Sequence, residues 1–168
     1  MQKTFLRRVG QYIVRNCNVD DIRLVISINW ATLPEHYSDY FFEELLRESP
    51  ETFLVTENEH NGEVVGYIMC RPEYGFSNVK KFGLARKGHI VSVAVLEEYR
   101  QKGLGTALIE EAMKELVKKG YSEVYLEVRH TNILAIRLYE RLGFRTITVV
   151  DGYYRDGEAA TLMCASLG

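Results

Sequence analysis

Cysteine, histidine and net charge are all in short supply in this chain, and each shortage closes off a class of function. Cys17, Cys70 and Cys164 are odd in number and show no C-x-x-C spacing, so they define neither a disulfide framework nor a zinc-type cluster. Each sits in an apolar or strand-like stretch, where a free cysteine reads as a small buried hydrophobe ahead of a nucleophile or ligand. His36, His60, His89 and His130 also lack metal-ligand spacing, and no metal is expected. A formal net charge of −2 offers little to a nucleic acid or an anionic membrane. Positive potential is local, as around Arg100, Gln101 and Lys102. No apolar run approaches the ~20 residues that span a bilayer. Met1–Gly10, with Lys3, Arg7 and Arg8, lacks the apolar stretch of a secretory signal, so a cytoplasmic location is the expectation.

Repeats and linkers are missing too. What is there is a 168-residue chain, 46% hydrophobic and 26% charged, long enough to bury a core as one domain covering 1–168. Tyr12–Asn16 reads as the first strand, followed by a helix capped at Asp20 and running to Asn29 on an Ile22, Val25, Ile26, Ile28 face. Trp30–Tyr37 reads as a loop around Pro34, and Ser38 caps a second helix, Asp39 to Arg47. Thr52–Glu57 and Val64–Arg71 are strands of a hairpin turned by Asn61-Gly62. Pro72–Lys87 reads as a surface loop whose Lys80, Lys81, Arg86 and Lys87 face water. Then come a strand His89–Val95 and a helix Leu104–Lys118. That helix turns Leu104, Leu108, Ala112, Met113 and Leu116 inward and Glu110, Glu111, Lys114, Glu115 and Lys118 outward. A strand Glu123–Val128, a helix from Thr131 or Asn132 to Leu142, and strands Phe144–Val150 and Glu158–Ala165 complete the chain. The pattern predicts an α/β (α+β) fold, with a mixed, mostly antiparallel sheet and helices on both faces.

The centre of this arrangement is the strand–turn–helix unit that carries Arg100-Gln-Lys-Gly-Leu-Gly105. Such a turn presents backbone N–H groups and the positive end of a helix dipole to an anion, naturally a pyrophosphate. Glycines in a tight strand–helix turn also serve structure alone, and Gly103 and Gly105 by themselves do not separate the two uses.

The company of the turn does. Arg100-x-x-Gly103-x-Gly105 follows His89-Ile-Val-Ser-Val-Ala-Val95 and precedes Leu126-Glu-Val-Arg-His-Thr-Asn132, Ala135-Ile-Arg-Leu-Tyr-Glu-Arg-Leu-Gly-Phe144 and Tyr153-Tyr-Arg-Asp-Gly-Glu158. This ordered set resembles the GNAT superfamily of N-acetyltransferases. It is closest in pattern to the branch that acetylates protein N-termini, which includes the NatA catalytic subunit and the ribosomal-protein alanine acetyltransferases. The resemblance implies a GNAT fold of about seven strands, whose two central parallel strands splay to admit coenzyme A. It implies acetyl-CoA as cofactor, protein or peptide N-termini as substrate, and room for an auxiliary or ribosomal docking partner.

Residue by residue, the resemblance puts acetyl-CoA on Val93, Ala94, Val95, Arg100, Gln101, Lys102, Gly103, Leu104, Gly105, Thr106, Asn132 and Tyr139. It makes Glu127 the general base, Tyr139 the acid toward the thiolate, and His89 a second proton relay. Leu33, Pro34, Glu35 and Tyr37 form one peptide wall, Tyr153 and Tyr154 the other. Taken without the family, each has a plainer use. Glu127 reads as an ion-pair partner of Arg129, Tyr139 as core, Asn132 as an N-cap, and His89 as a packed or surface side chain. Trp30 and Leu33 read as packing for the first helix, and the tyrosines as an exposed turn.

The chain departs from the family pattern in having no Pro after Val95, Thr131 for the commoner Ser, and Ala159 for an Asp. Other readings stay open at this stage. They are a GNAT acting on Lys side chains or small amines, and a GNAT domain that binds CoA without catalysis.

Overall fold

The computed structural model describes residues 3–168. The chain forms two compact units, one of residues up to Arg71 with Val91–Glu115, the other of Pro72–Ile90 with Leu116–Gly168.

In the first unit, β1 (Phe5–Val9) and β2 (Tyr12–Asn16) pair antiparallel around Gly10, whose φ is +60°. The sequence reading begins the sheet at Tyr12. β1 escapes it because Arg7 and Arg8 break any apolar alternation, and pairing with β2 fixes its place instead. β2 pairs with β3 (Phe53–Asn58), and β3 with the first part of β4 (Glu63–Phe76), all antiparallel. A Cβ on Gly66 would stand 2.8 Å from Thr56 Oγ1 and 3.1 Å from the Ala94 carbonyl, so only glycine fits where these strands meet.

α1 (Ile22–Thr32) is entered through a single 3-10 turn at Val19–Asp21. Asp20 therefore lies inside this turn, and Asp21 is the residue at the cap, where its carboxylate accepts the Asn18 N–H at 2.8 Å. α1 also runs three residues further than the sequence suggests. Trp30 thus belongs to the helix and not to the loop. α2 (Asp39–Glu48) starts as expected, with Ser38 Oγ accepting the Phe41 N–H.

Val25, Ile28, Phe42 and Leu45 from these helices pack with Phe53, Val55, Tyr67 and Met69 from the sheet. Each such fully buried side chain stabilises the unit by about 1.5–3 kcal/mol. Beside this core the Arg15 guanidinium, itself buried, meets Asp21 at 2.7 Å and 3.0 Å and Glu57 at 3.0 Å.

The second unit begins with the remainder of β4 and the start of β5 (Leu84–Val95). The segment from Pro72 to Lys87 is therefore mostly a β-hairpin, with only residues 77–83 between its strands, and not a surface loop. Gly75, Gly83 and the lysines hide it from propensity. Lys87 is buried and does not belong to a solvated face, since its Nζ donates to the Phe76 carbonyl at 2.7 Å.

β6 (Glu123–Arg129) pairs parallel with β5 over Lys87–His89 and Glu123–Tyr125. It pairs antiparallel with β8 (Ala160–Ser166), which in turn pairs with β7 (Arg145–Val150). Alternation along β6 buries Val124, Leu126 and Val128 and turns Tyr125, Glu127 and Arg129 to the other face. α4 (Ile133–Arg141) ends before Gly143, whose φ is +97°.

The strands hydrogen-bond in the order β1-β2-β3-β4-β5-β6-β8-β7, a mixed, mostly antiparallel sheet of eight strands, one more than expected. The helix α3 spans Leu104–Lys118. Glu111 of α3, expected in water, is buried 3.6 Å from Arg7 and 3.0 Å from Lys114.

Candidate active site

In the first unit the chain leaves β5 at Val95 and reaches α3 through residues 96–103. The Leu96 N–H donates to the Val65 carbonyl, which anchors the entry, and buried Leu104 anchors the exit. Ala94 and Val95 are buried and Val93 is half-buried. Arg100 folds back so that its Nε donates to the Val95 carbonyl at 2.9 Å. Gln101 has φ +63°, and among the described residues it is the one non-glycine in the left-handed region. Gly103 follows at φ +82°. A non-glycine held there costs on the order of 1–3 kcal/mol, and such strain gathers at ligand-binding turns. Lys102 is exposed, and Gly105 and Thr106 are half-buried in the first turn of α3.

The same unit builds the 33–37 loop from below. Asn29, fully buried in α1, donates through Nδ2 to the Glu35 carbonyl and to the Tyr67 hydroxyl, both at 3.1 Å. Tyr67 meets Ser92 Oγ at 2.6 Å. Tyr37 donates to the Val91 carbonyl at 3.2 Å and packs on Phe41 and Phe42. Leu33 packs against the core, while Pro34 is exposed. Trp30 is exposed and stacks on His36 at 3.8 Å, so it does not seal α1 onto the core.

In the second unit, His89 and Glu127 come together, with His89 Nε2 2.7 Å from Glu127 Oε1. Arg129 turns to Asp156 at 2.9 Å and Glu158 at 2.6 Å and lies over the Tyr154 ring at 4.2 Å. These contacts brace the 151–157 loop. Tyr153, which is exposed, and Tyr154 lie with their rings 5.0 Å apart. Glu158 also accepts the Thr131 hydroxyl, and its carboxyl is held below the usual range first by that bond and then by Arg129.

Tyr139 is buried next to Phe144, and burial pushes its phenol up to about 12. Asn132 does cap α4, its Oδ1 accepting the Ala135 N–H at 3.2 Å. That leaves its amide N–H groups outside the cap. The three cysteines are buried. Burial raises their thiols, Cys70 to about 12 and Cys164 to about 11, with Cys17 moved in the same direction.

The Acetyltransferase (GNAT) family matches residues 22–144 of this sequence. The chain belongs to the GNAT acetyltransferase family. An N-alpha-acetyltransferase of Sulfurisphaera tokodaii is 51% identical over 94% of both chains. The N-terminal acetyltransferase A complex catalytic subunit NAA10 of Arabidopsis thaliana is 34% identical over 88% of this chain and 73% of its own. The crystal structure of Ard1 from Thermoplasma volcanium superposes with a TM-score of 0.79 at 30% identity, covering 93% of this chain and 97% of that one.

One glycine of this turn stands on the helix itself. Gly105 is helical, and a Cβ there would meet no protein atom within 4 Å. No described protein atom excludes a side chain there, and glycine weakens a helix by about 1 kcal/mol relative to alanine.

Four residues of the acetyltransferase were not found from sequence. Asn29 holds the 33–37 loop, Arg129 holds the 151–157 loop, and Glu73 and Tyr125 surround His89. Tyr125 was within reach, since it stands two residues before Glu127 and so shares its face of β6.

Proposed function

We infer that this acetyltransferase is an N-alpha-acetyltransferase. It moves the acetyl group of acetyl-CoA to the free N-terminal amine of a protein or peptide, by direct transfer in a ternary complex. The amine nitrogen attacks the thioester carbonyl, and Glu127 with His89 takes up the proton it loses, directly or through water. The C–S bond breaks, and Tyr139 gives its phenolic proton to the departing thiolate. Val93–Val95, Arg100–Thr106, Asn132 and Tyr139 are assigned to coenzyme A. Leu33, Pro34, Glu35, Tyr37, Tyr153 and Tyr154 are assigned to the first residues of the peptide.

The observation that carries this reading is the 2.7 Å His89–Glu127 contact, in a chain whose relatives bear that enzyme name. The substrate's own chemistry supports it. A peptide α-amine has a pKa of about 7.7–8.0 against about 10.4 for Lys, so about a tenth of it is already neutral at pH 7. A modest base is then sufficient. The family match runs through both compact units, which supports one working domain over 1–168. One relative is named a catalytic subunit, which supports an auxiliary partner here as well. No helix among the described residues is long and apolar enough to cross a membrane. The cytoplasm, where free protein N-termini first arise, is the compartment assigned.

The test is competition between a peptide with a free N-terminus and an N-blocked peptide containing Lys, both with acetyl-CoA. The free peptide should be acetylated and the blocked one left almost untouched. Equal rates would overturn the substrate assignment.

A further inference from the structure

Asn29 and Trp30 are consecutive in the last turns of α1, yet one is buried and the other is not. Asn29 is fully buried, whereas Trp30 is 62% exposed. Both reach the 33–37 loop, at adjacent positions. From inside, Asn29 Nδ2 donates to the Glu35 carbonyl at 3.1 Å. From outside, the Trp30 indole stacks on the exposed His36 imidazole, with centroids 3.8 Å apart and planes 24° from parallel. His36 Nε2 also lies 2.7 Å from the Leu33 carbonyl oxygen. A carbonyl only accepts, so Nε2 carries the hydrogen.

The local sequence explains why His36 turns back. Carbonyls at the end of a helix need donors from beyond it. Leu33 supplies one, its N–H donating to the Asn29 carbonyl at 3.0 Å. Pro34 has no N–H to supply. The His36 ring donates to the Leu33 carbonyl instead, as histidines near helix C-termini do. That bond sets the ring where it lies on Trp30. The stack and the hydrogen bond thus act on one imidazole, and together they close residues 33–36 against the end of α1.

We propose that Trp30 and His36 form a latch that positions the peptide wall of Leu33, Pro34, Glu35 and Tyr37. Asn29 fixes the floor of the loop and Tyr37, donating to the Val91 carbonyl, fixes its far end. The latch fixes its near end at Leu33. A wall ordered in advance spares the incoming peptide the cost of ordering it, which is affinity gained without a new contact. Trp30 and His36 are then positioning residues for peptide binding and take no part in the chemical step. The latch rests on the assignment of the 33–37 loop to the peptide.

Trp30 is the single tryptophan of the chain, so its fluorescence reads the latch directly. The test compares wild type with W30A, W30F, H36A, the W30A/H36A double variant and E35A. The measurements are fluorescence, Tm and steady-state kinetics with acetyl-CoA and a free-N-terminus peptide. H36A should change the Trp30 emission of the free enzyme. W30A and H36A should each raise the peptide KM about three- to tenfold, the range of one aromatic pair. Their kcat, acetyl-CoA KM and Tm should stay near wild type. The double variant should be no worse than either single one, because both remove the same latch. W30F keeps an aromatic face for His36 and should recover most of the peptide affinity. A pair that merely supported the fold would lower the Tm without separating peptide KM from kcat and the cofactor.

Unchanged emission in H36A overturns the proposal. So does a raised peptide KM in W30A with none in H36A, the signature of Trp30 touching the peptide itself. E35A separates the latch from the wall it serves. If E35A alters peptide KM while W30A and H36A do not, the wall assignment stands and the latch falls. If E35A, W30A and H36A all leave peptide KM unchanged, the wall assignment falls and the latch with it.

Discussion

The side-chain amide of Asn29 holds the backbone carbonyl of Glu35 at 3.1 Å, and so the buried interior of α1 sets the position of the 33–37 loop. The same nitrogen reaches Tyr67, whose hydroxyl continues to Ser92. A surface loop assigned to substrate is thereby tied to a buried polar chain in which every link restricts the next.

Replacing Asn29 with Leu should therefore act on the peptide and on stability, but not on the cofactor. Losing the amide leaves the Tyr67 hydroxyl with one partner fewer in a buried site, at a cost of about 1–3 kcal/mol. The expected result is a lower Tm and a raised peptide KM, with acetyl-CoA affinity unchanged in calorimetry. An unchanged peptide KM would separate the 33–37 loop from the substrate.

Gly105 gives a cleaner probe of the cofactor turn than Gly103. At Gly103 the backbone is left-handed, so any side chain strains the fold as well as blocking a ligand. Gly105 is helical and faces open space. Gly105→Ala should hold or raise the Tm, since alanine favours the helix by about 1 kcal/mol. It should nonetheless weaken acetyl-CoA binding measurably, because the added methyl occupies the approach to the main chain. Full affinity in this variant would move the pyrophosphate elsewhere.

Local signals in the sequence were sufficient for α2 and α3, though they placed the cap of α1 one residue early and its end three residues short. The ends of α3 follow from its apolar spacing and from Gly120, and α2 follows from Ser38. Non-local pairing is where sequence reasoning stopped. β1 is a strand because β2 is beside it, and Glu111 is buried because Arg7 arrives from β1. The 72–87 hairpin reads as a loop until Ser77 N–H is seen donating to the Gly83 carbonyl. At the site, the Gly-rich turn and Glu127 were legible as motifs. Glu73 was not, because its relation to His89 depends on a cross-strand register that no spacing in the sequence encodes.

The Arg15–Asp21 pair predicts how the enzyme responds to acid. Burial works to raise the Asp21 carboxyl, but the hydrogen bonds from Arg15 and the Asn18 N–H outweigh it, and the net shift is downward. A carboxyl depressed in the folded state contributes stability that is present above its unfolded pKa of about 3.9 and lost as the pH falls through the folded value. Asp21→Asn strands a buried guanidinium with only Glu57 opposite, at a cost of about 3–5 kcal/mol near neutrality. The Tm difference between wild type and variant should be large at pH 7 and should shrink below about pH 4. A difference that stays constant into acid would show that the charge of Asp21 is irrelevant.

Tyr139 and the cysteines together predict direct transfer. Burial holds the Tyr139 phenol up at about 12, so it remains a protonated donor throughout the neutral range. The sign matters for the pH profile. Because the folded pKa lies above the ordinary 10, the proton is lost only as the pH rises toward 12, and any alkaline decline in rate below about pH 10 has another origin. Tyr139→Phe should accordingly lower kcat by something like the 10²–10⁴-fold typical of acid–base catalysis without changing the shape of the profile below about pH 10. Glu127→Gln should lower kcat by a similar factor. The cysteine thiols are raised by burial and so are poor nucleophiles at neutral pH, which leaves no cysteine suited to carry the acetyl group between substrates. Intact mass spectrometry of the enzyme with acetyl-CoA alone should show no added acetyl group. A stable acetyl adduct on cysteine would replace direct transfer with a two-step mechanism, and full activity in both variants would remove Tyr139 and Glu127 from the chemistry.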